Sequence, residues 1–148
     1  MFESILIPTD GSSTSDKAIE KGLELARLAG ARVTFLHVLE NPLTSGYATP
    51  EAMPYAAQLY QDLRASGEQI LQEAAARAEA AGVSATTRMV EDGDPVKAIV
   101  EASKDHDCVV MGTHGRRGFN RWMFGSVAEG ALRRADKPFL MVRSPEED

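Results

Sequence analysis

Apolar residues in this chain come in short runs of strand length that alternate with longer stretches of helical period. Ile5-Leu6-Ile7 stops at Pro8-Thr9-Asp10-Gly11-Ser12-Ser13, a cluster of turn and capping types, and so predicts a buried strand entering a turn. Ile19, Gly22, Leu23 and Ala26 then recur at helical spacing. Lys17, Glu20, Lys21, Glu24 and Arg27 fill the other face, and Gly30 supplies the stop. Val33 to Leu39, β-branched and bulky, predicts a second strand. Asn41 to Pro54 carries three prolines and a glycine and predicts an irregular connection, longer than usual.

The second half repeats the alternation. From about Tyr55 to Ala81, Leu59, Leu63, Ile70, Ala74 and Ala78 keep a helical period that Gly82 ends. Val83 to Val90 is a weaker strand candidate. Asp94 is placed to cap a helix that opens with Pro95 and carries Val96, Ile99 and Val100. Cys108-Val109-Val110-Met111 is the most apolar strand, suited to the centre of a sheet. A glycine-rich loop, a helix from about Ser126 to Ala135 and a last strand, Phe139 to Val142, complete the chain.

Five strands alternating with four helices predict an α/β fold: a single-domain, doubly wound, five-stranded and mainly parallel sheet with helices on both faces, Rossmann-like in plan. In such sheets ligands sit beyond the carboxyl ends of the strands, where strand order reverses. That edge would collect Pro8 to Ser13, Val38 to Asn41 and Gly112 to Gly118.

Composition narrows the function. The 148 residues, 43% hydrophobic and 26% charged, suffice for one core and rule out wholesale disorder. The net charge of −6 opposes general affinity for nucleic acid. The lone Cys108 can form neither an internal disulfide nor a cysteine-based zinc site. No segment reaches the length of a membrane span, and no basic-then-apolar leader follows Met1, so a cytoplasmic protein without membrane insertion is expected.

The chemistry concentrates in Gly112-Thr113-His114-Gly115-Arg116-Arg117-Gly118 and onward to Gly125-Ser126. Glycines let the backbone approach an anion, a helix beginning at Ser126 would add its partial positive end, and the Ser126 hydroxyl could donate one more bond. From His106 to Ala135 five arginines face only Asp107 and Glu129, a local +3 in an anionic chain. A glycine-rich turn beside arginines on a solvated face is the plainer reading of the same residues.

The spacing Gly112-x2-Gly115-x9-Gly125-Ser126, directly after a buried strand, resembles the signature of the universal stress protein family in its ATP-binding branch. The first strand with Pro8-Thr9-Asp10-Gly11-Ser12, Leu36-His37-Val38, and Pro138 to Val142 share the likeness, which extends over essentially the whole chain. The resemblance implies an adenine-nucleotide-alpha-hydrolase-like fold and a site for ATP, with ADP or AMP as alternatives, and with Mg or Mn carried on the phosphates. It implies that Asp10, with Pro8 and Thr9 on the same turn, lies near the adenosine. Val38 would contact adenine through its backbone, and Met111 and Gly112 would border the ribose. Gly115 and the backbone after it, including Arg116 and Gly118, would receive phosphates, together with Gly125, Ser126 and Val127. A homodimer through the last strand is also implied.

Other residues have plainer roles. Asp10 also suits a cap or turn before the first helix. His37 reads as a hydrogen-bonded sheet residue, His106 as a surface residue between Asp105 and Asp107, His114 as a backbone contributor and Cys108 as a buried thiol. Trp122-Met123-Phe124 would pack the loop onto the body. With no nucleophile elbow, Walker A lysine or dinucleotide glycine motif, no catalytic residue stands out. The expectation is a nucleotide-dependent stress-response switch with an unidentified protein partner, slow hydrolysis at most resetting it. An adenylate-transferring or ATP-hydrolysing enzyme and a nucleotide-free dimeric module are the alternatives.

Overall fold

The computed structural model describes residues 2–41, 49–91, 93–113 and 121–143, with backbone alone at 121–124. β1 (Ser4–Pro8) is buried at every position, and Gly11, at φ 81°, turns the chain into α1 (Ser13–Ala29). Ser12 caps α1, its hydroxyl accepting the Ser15 N–H, and Gly30 closes it in the left-handed conformation at φ 67°. β2 (Arg32–Leu39) leads to α2 (Met53–Ala80), which starts two residues before the expected Tyr55, with Pro54 in its first turn. β3 (Ala85–Glu91) is a largely exposed strand two residues shorter at its start than the sequence pattern. Asp94 Oδ1 accepts the Val96 N–H at 2.9 Å and caps α3 (Pro95–Ser103), as its spacing predicts. β4 (Cys108–Gly112) is fully buried, and α4 (Arg121–Arg134) and β5 (Phe139–Val142) follow.

The strands form one sheet in the order β3-β2-β1-β4-β5, every pair parallel. The doubly wound α/β expectation holds, and the parallelism is complete rather than partial. Side-chain alternation divides the core. Ile5, Ile7, Val33, Phe35 and Val110 pack with Ile19, Leu23, Leu71 and Ala74, so α1 and α2 cover one face. Leu6, Leu36, Val109 and Met111 pack with Ile99, Ala102, Ala128 and Ala131, so α3 and α4 cover the other. The chain builds outward from β1 to β3, then returns to place β4 on the other side of β1; strand order therefore reverses between β1 and β4.

One boundary corrects the sequence reading. α4 begins at Arg121, not at Ser126. In sequence, Phe124, Val127, Ala128 and Ala131 already follow a helical apolar period, and Gly125 interrupts it too weakly to stop the helix.

Candidate functional site

Beyond Pro8, β1 leaves the sheet while β2 continues to Leu39. The last contact is the Thr9 N–H donating to the Leu36 carbonyl at 2.8 Å. Even-numbered backbone groups of β2 face β1, as the Arg32 N–H to Glu3 carbonyl bond shows, and odd-numbered ones face β3, as the Val33 N–H to Ser84 carbonyl bond shows. The N–H and C=O of Val38 therefore point toward the β1 side, two residues past the last β1 register partner. A donor and an acceptor are thus presented side by side where no β1 residue pairs with them.

They border a cleft of about 270 Å³ that straddles the crest of the sheet. Pro8, Thr9 and Asp10 come from the turn after β1, Leu36 to Glu40 from β2 and its end, Leu63, Ser66 and Ile70 from α2, Pro95 and Ile99 from α3, and Val127 from α4. The walls are mostly apolar, and the carboxylates of Asp10 and Glu40 stand among the polar lining residues. Among the described residues, no lysine or arginine lines the cleft. Such a slot suits a flat, uncharged ring and hydroxyl donors; phosphate groups would need cations from outside these walls.

The turn carrying Asp10 is heavily bonded. Asp10 Oδ1 accepts the Ser12 N–H at 2.9 Å, and the Asp10 N–H donates to Ser15 Oγ at 3.2 Å. Ser15 Oγ also lies 2.6 Å from Thr9 Oγ1. Ser12, not Asp10, caps α1; Asp10 stabilises the preceding turn. Asp16, further along α1, has its carboxyl pushed above the usual carboxylate range. Burial is the main cause, Arg77 opposes it, and Glu73 and Asp10 add repulsion.

Five of the sequence candidates, Pro8, Thr9, Asp10, Val38 and Val127, meet at this cleft. Met111 and Gly112 end the neighbouring strand; the Met111 side chain is wholly inside the core, so only its backbone faces the crest. Gly125 and Ser126 lie inside α4, with Ser126 exposed, and do not line the cleft. The free amides of this helix end belong to the turn beginning at Arg121, one turn before the helix start expected at Ser126. Gly115, Arg116 and Gly118, with His114, lie outside the described residues. The cationic cluster also divides. Arg133 pairs with Glu129 at 2.9 Å in the last turn of α4, and Arg134 borders a separate hollow with Lys104 and Lys137, away from the cleft.

The α2 and α3 walls were not singled out from sequence. Leu63 and Ile70 fit the core period of α2, yet Leu63 is 38% exposed, because beyond the sheet edge that face of the helix covers the cleft instead of the core. His37 bonds through Nδ1 to the Thr9 carbonyl at 2.9 Å, as expected of a sheet histidine, and also lines the cleft. His106 departs from the surface reading: it is buried, with Nδ1 donating to the Ala102 carbonyl at 2.7 Å and Nε2 at 2.8 Å from Thr34 Oγ1. Cys108 is buried as expected, and burial raises its thiol pKa. Among the described residues no group of His, Cys, Asp and Glu is arranged to hold a metal ion, and no helix is long and apolar enough to cross a membrane.

A three-layer α/β protein with a parallel sheet in the order 3-2-1-4-5 and a crevice over the ends of its first two strands defines the doubly wound class that binds ligands at the crest. Residues 1–143 match the universal stress protein family, and the chain belongs to that family. It is 33% identical over 150 residues to a universal stress protein of Methanocaldococcus jannaschii, covering 100% of this chain and 86% of that one. Among solved structures, a universal stress family protein of Burkholderia pseudomallei is 31% identical with a TM-score of 0.75, covering 97% of each chain. A universal stress protein solved in complex with cAMP is 27% identical with a TM-score of 0.66, covering 96% of this chain and 97% of that one.

Proposed function

We propose that this chain is an ATP-binding regulatory protein of stress response, a one-domain switch whose nucleotide-bound and empty forms present different surfaces to a protein partner. The observation that carries the reading is the backbone pair of Val38, a donor beside an acceptor, opening into an apolar cleft where β1 has ended. Adenine offers the complementary edge, a ring nitrogen beside an amino group, and a flat apolar face for Leu36, Ile99 and Val127. Asp10 supplies an acceptor for ribose hydroxyls. The cAMP complex of a relative 27% identical supports an adenine nucleotide as the ligand class.

The phosphates fall to Gly115, Arg116 and Gly118 and to Gly125, Ser126 and Val127, with Met111 and Gly112 toward the ribose. Mg or Mn travels on the phosphates, since no carboxylate cage exists among the described residues. ADP or AMP would use the same adenosine contacts. Any hydrolysis is slow and serves to reset the switch. The protein acts in the cytoplasm as a homodimer through β5, an edge strand on which Leu140 is exposed.

The test is to denature freshly purified protein, identify any released nucleotide by mass spectrometry, and titrate ATP, ADP and AMP into emptied protein by calorimetry. Saturable ATP binding supports the switch. Neither a released nucleotide nor a titratable one would overturn it in favour of a nucleotide-free interaction module.

A further inference from the structure

His37 lines the cleft between the turn after β1 and α2. Its Nδ1 lies 2.9 Å from the Thr9 carbonyl oxygen. A carbonyl only accepts, so the imidazole carries a proton on Nδ1 and donates it. On the other side of the ring α2 comes so near that a β-carbon on Gly67 would stand 2.6 Å from His37 Cδ2 and 2.9 Å from Nε2. Gly67 is buried and lies in the middle of a 28-residue helix, where glycine costs about 1 kcal/mol relative to alanine. The close approach gives that glycine a reason: a side chain there would press on the imidazole and on Met89 Cε, which would stand 2.9 Å from its β-carbon.

We infer that His37 is the positioning residue of the cleft, bracing the Thr9 carbonyl so that the turn holds Asp10 toward the ligand, with Gly67 as the space that admits the ring. Four bonds hold Thr9: its N–H donates to the Leu36 carbonyl, its hydroxyl accepts from Ser15 Oγ and, at 3.5 Å, from the Gly11 N–H, and its carbonyl accepts from His37. The first three tie it to β2, α1 and its own turn. The bond to His37 alone brings in a partner side chain that lines the cleft. Without it the Thr9-Asp10 peptide is held only through the Asp10 N–H bond to Ser15, and Asp10, whose Oδ1 keeps the Ser12 N–H, is directed less firmly toward the cleft. The inference rests on the adenine-nucleotide reading, because Asp10 is taken there as a ligand contact.

The experiment compares His37→Leu, His37→Asn and Gly67→Ala with the wild type in ATP affinity by calorimetry and in thermal unfolding without nucleotide. His37→Asn keeps a donor near the Nδ1 position and should retain affinity within about threefold. His37→Leu and Gly67→Ala should each lose about tenfold or more, the scale of one lost hydrogen bond plus a misdirected carboxylate. In an Asp10→Asn background His37→Leu should cost little further, because both act through the same contact. Full affinity in folded His37→Leu, equal losses in the Asn and Leu variants, or additive losses with Asp10→Asn would each overturn the positioning role. Nitrogen NMR of the wild-type imidazole, with or without nucleotide, should show the Nδ1-protonated tautomer; the other tautomer would overturn the brace itself. If the wild type binds no adenine nucleotide, the ligand reading fails and the role assigned to Asp10 fails with it, while the NMR result still decides the brace.

Discussion

Gly112 ends β4 so close to the first turn of α1 that a β-carbon on it would stand 2.6 Å from Thr14 Cγ2 and 3.1 Å from the Thr14 carbonyl oxygen. Thr14 is wholly buried, so neither its methyl nor its backbone has room to withdraw. The first glycine of the signature spacing is therefore required by packing at the strand-order reversal, whatever it does for a ligand. Gly112→Ala should lower stability by about 1–3 kcal/mol, the usual cost of overpacking a close contact. Urea unfolding of the ligand-free protein reads it, and an unchanged midpoint would reject the packing role.

His106 ties the last turn of α3 to β2. Its Nδ1 reaches the Ala102 carbonyl and its Nε2 reaches Thr34 Oγ1, which lies 3.4 Å from Thr86 Oγ1 on β3. His106→Leu removes one partner from the Ala102 carbonyl, which keeps the Asp105 N–H, and one from Thr34 Oγ1, which keeps Thr86, and should cost about 1–3 kcal/mol, the scale of two lost hydrogen bonds. Equilibrium denaturation is the measurement; a variant as stable as the wild type would mean that the two bonds add nothing net.

Asp107 makes stability depend on pH at the acid end. Its carboxylate accepts the N–H groups of Glu3 at 2.8 Å and Ser4 at 3.0 Å, and these two bonds hold its pKa below the usual carboxylate range. A depressed folded-state pKa means a contribution fully present above the unfolded-state value and lost as pH falls through the folded-state one. Asp107→Asn should flatten that part of the acid limb of a stability-against-pH curve and leave the neutral-to-alkaline shape alone. Parallel acid limbs for the two proteins would contradict the linkage.

Local chemistry was legible in the sequence. Gly30 and Gly82 end helices because each takes a positive φ, Asp94 caps α3 through its own side chain, and the short apolar runs became strands because nothing nearby competed with burial. What escaped depends on distant partners. His106 reads as surface beside two aspartates, and only the α3–β2 packing supplies its acceptor and its hydroxyl. Leu63 and Ile70 have a core period, but whether a core or a cleft lies beneath them depends on where β1 ends. Arg133 and Arg134 count toward a cationic cluster in sequence, yet a 14-residue helix carries them to its far end. The turn around Asp10, by contrast, lies between β1 and α1 as the sequence pattern predicts, because a strand, a capping serine and a following helix leave its place at the carboxyl edge of the sheet little freedom.

The proposed homodimer has one suitable probe. Leu140 is 42% exposed on the edge strand β5, whereas Val142 belongs to the core with Ile5 and Val110. Lysine at 142 would report on the core; Leu140→Lys reports on the edge. Sedimentation should find the wild type dimeric and Leu140→Lys monomeric at equal concentration, with unchanged circular dichroism. A dimer that survives the substitution would place the interface elsewhere, and a monomeric wild type would remove it.

Gly125 separates the helix from the signature it belongs to. With α4 running from Arg121, Gly125 stands one turn inside a helix, where its amide is already engaged and glycine is less favourable than alanine by about 1 kcal/mol. For Gly125 and Ser126 to receive phosphates, the turn beginning at Arg121 must open and release their amides. Alanine at 125 would oppose that opening by favouring the helix. Gly125→Ala should therefore raise the stability of the ligand-free protein by up to about 1 kcal/mol while weakening ATP binding by about fivefold, two changes of opposite sign from one methyl group. Thermal unfolding and calorimetry on the same preparation read both. Stability and affinity rising together would show that nucleotide is bound with this helix intact, and would take Gly125 and Ser126 out of the phosphate site.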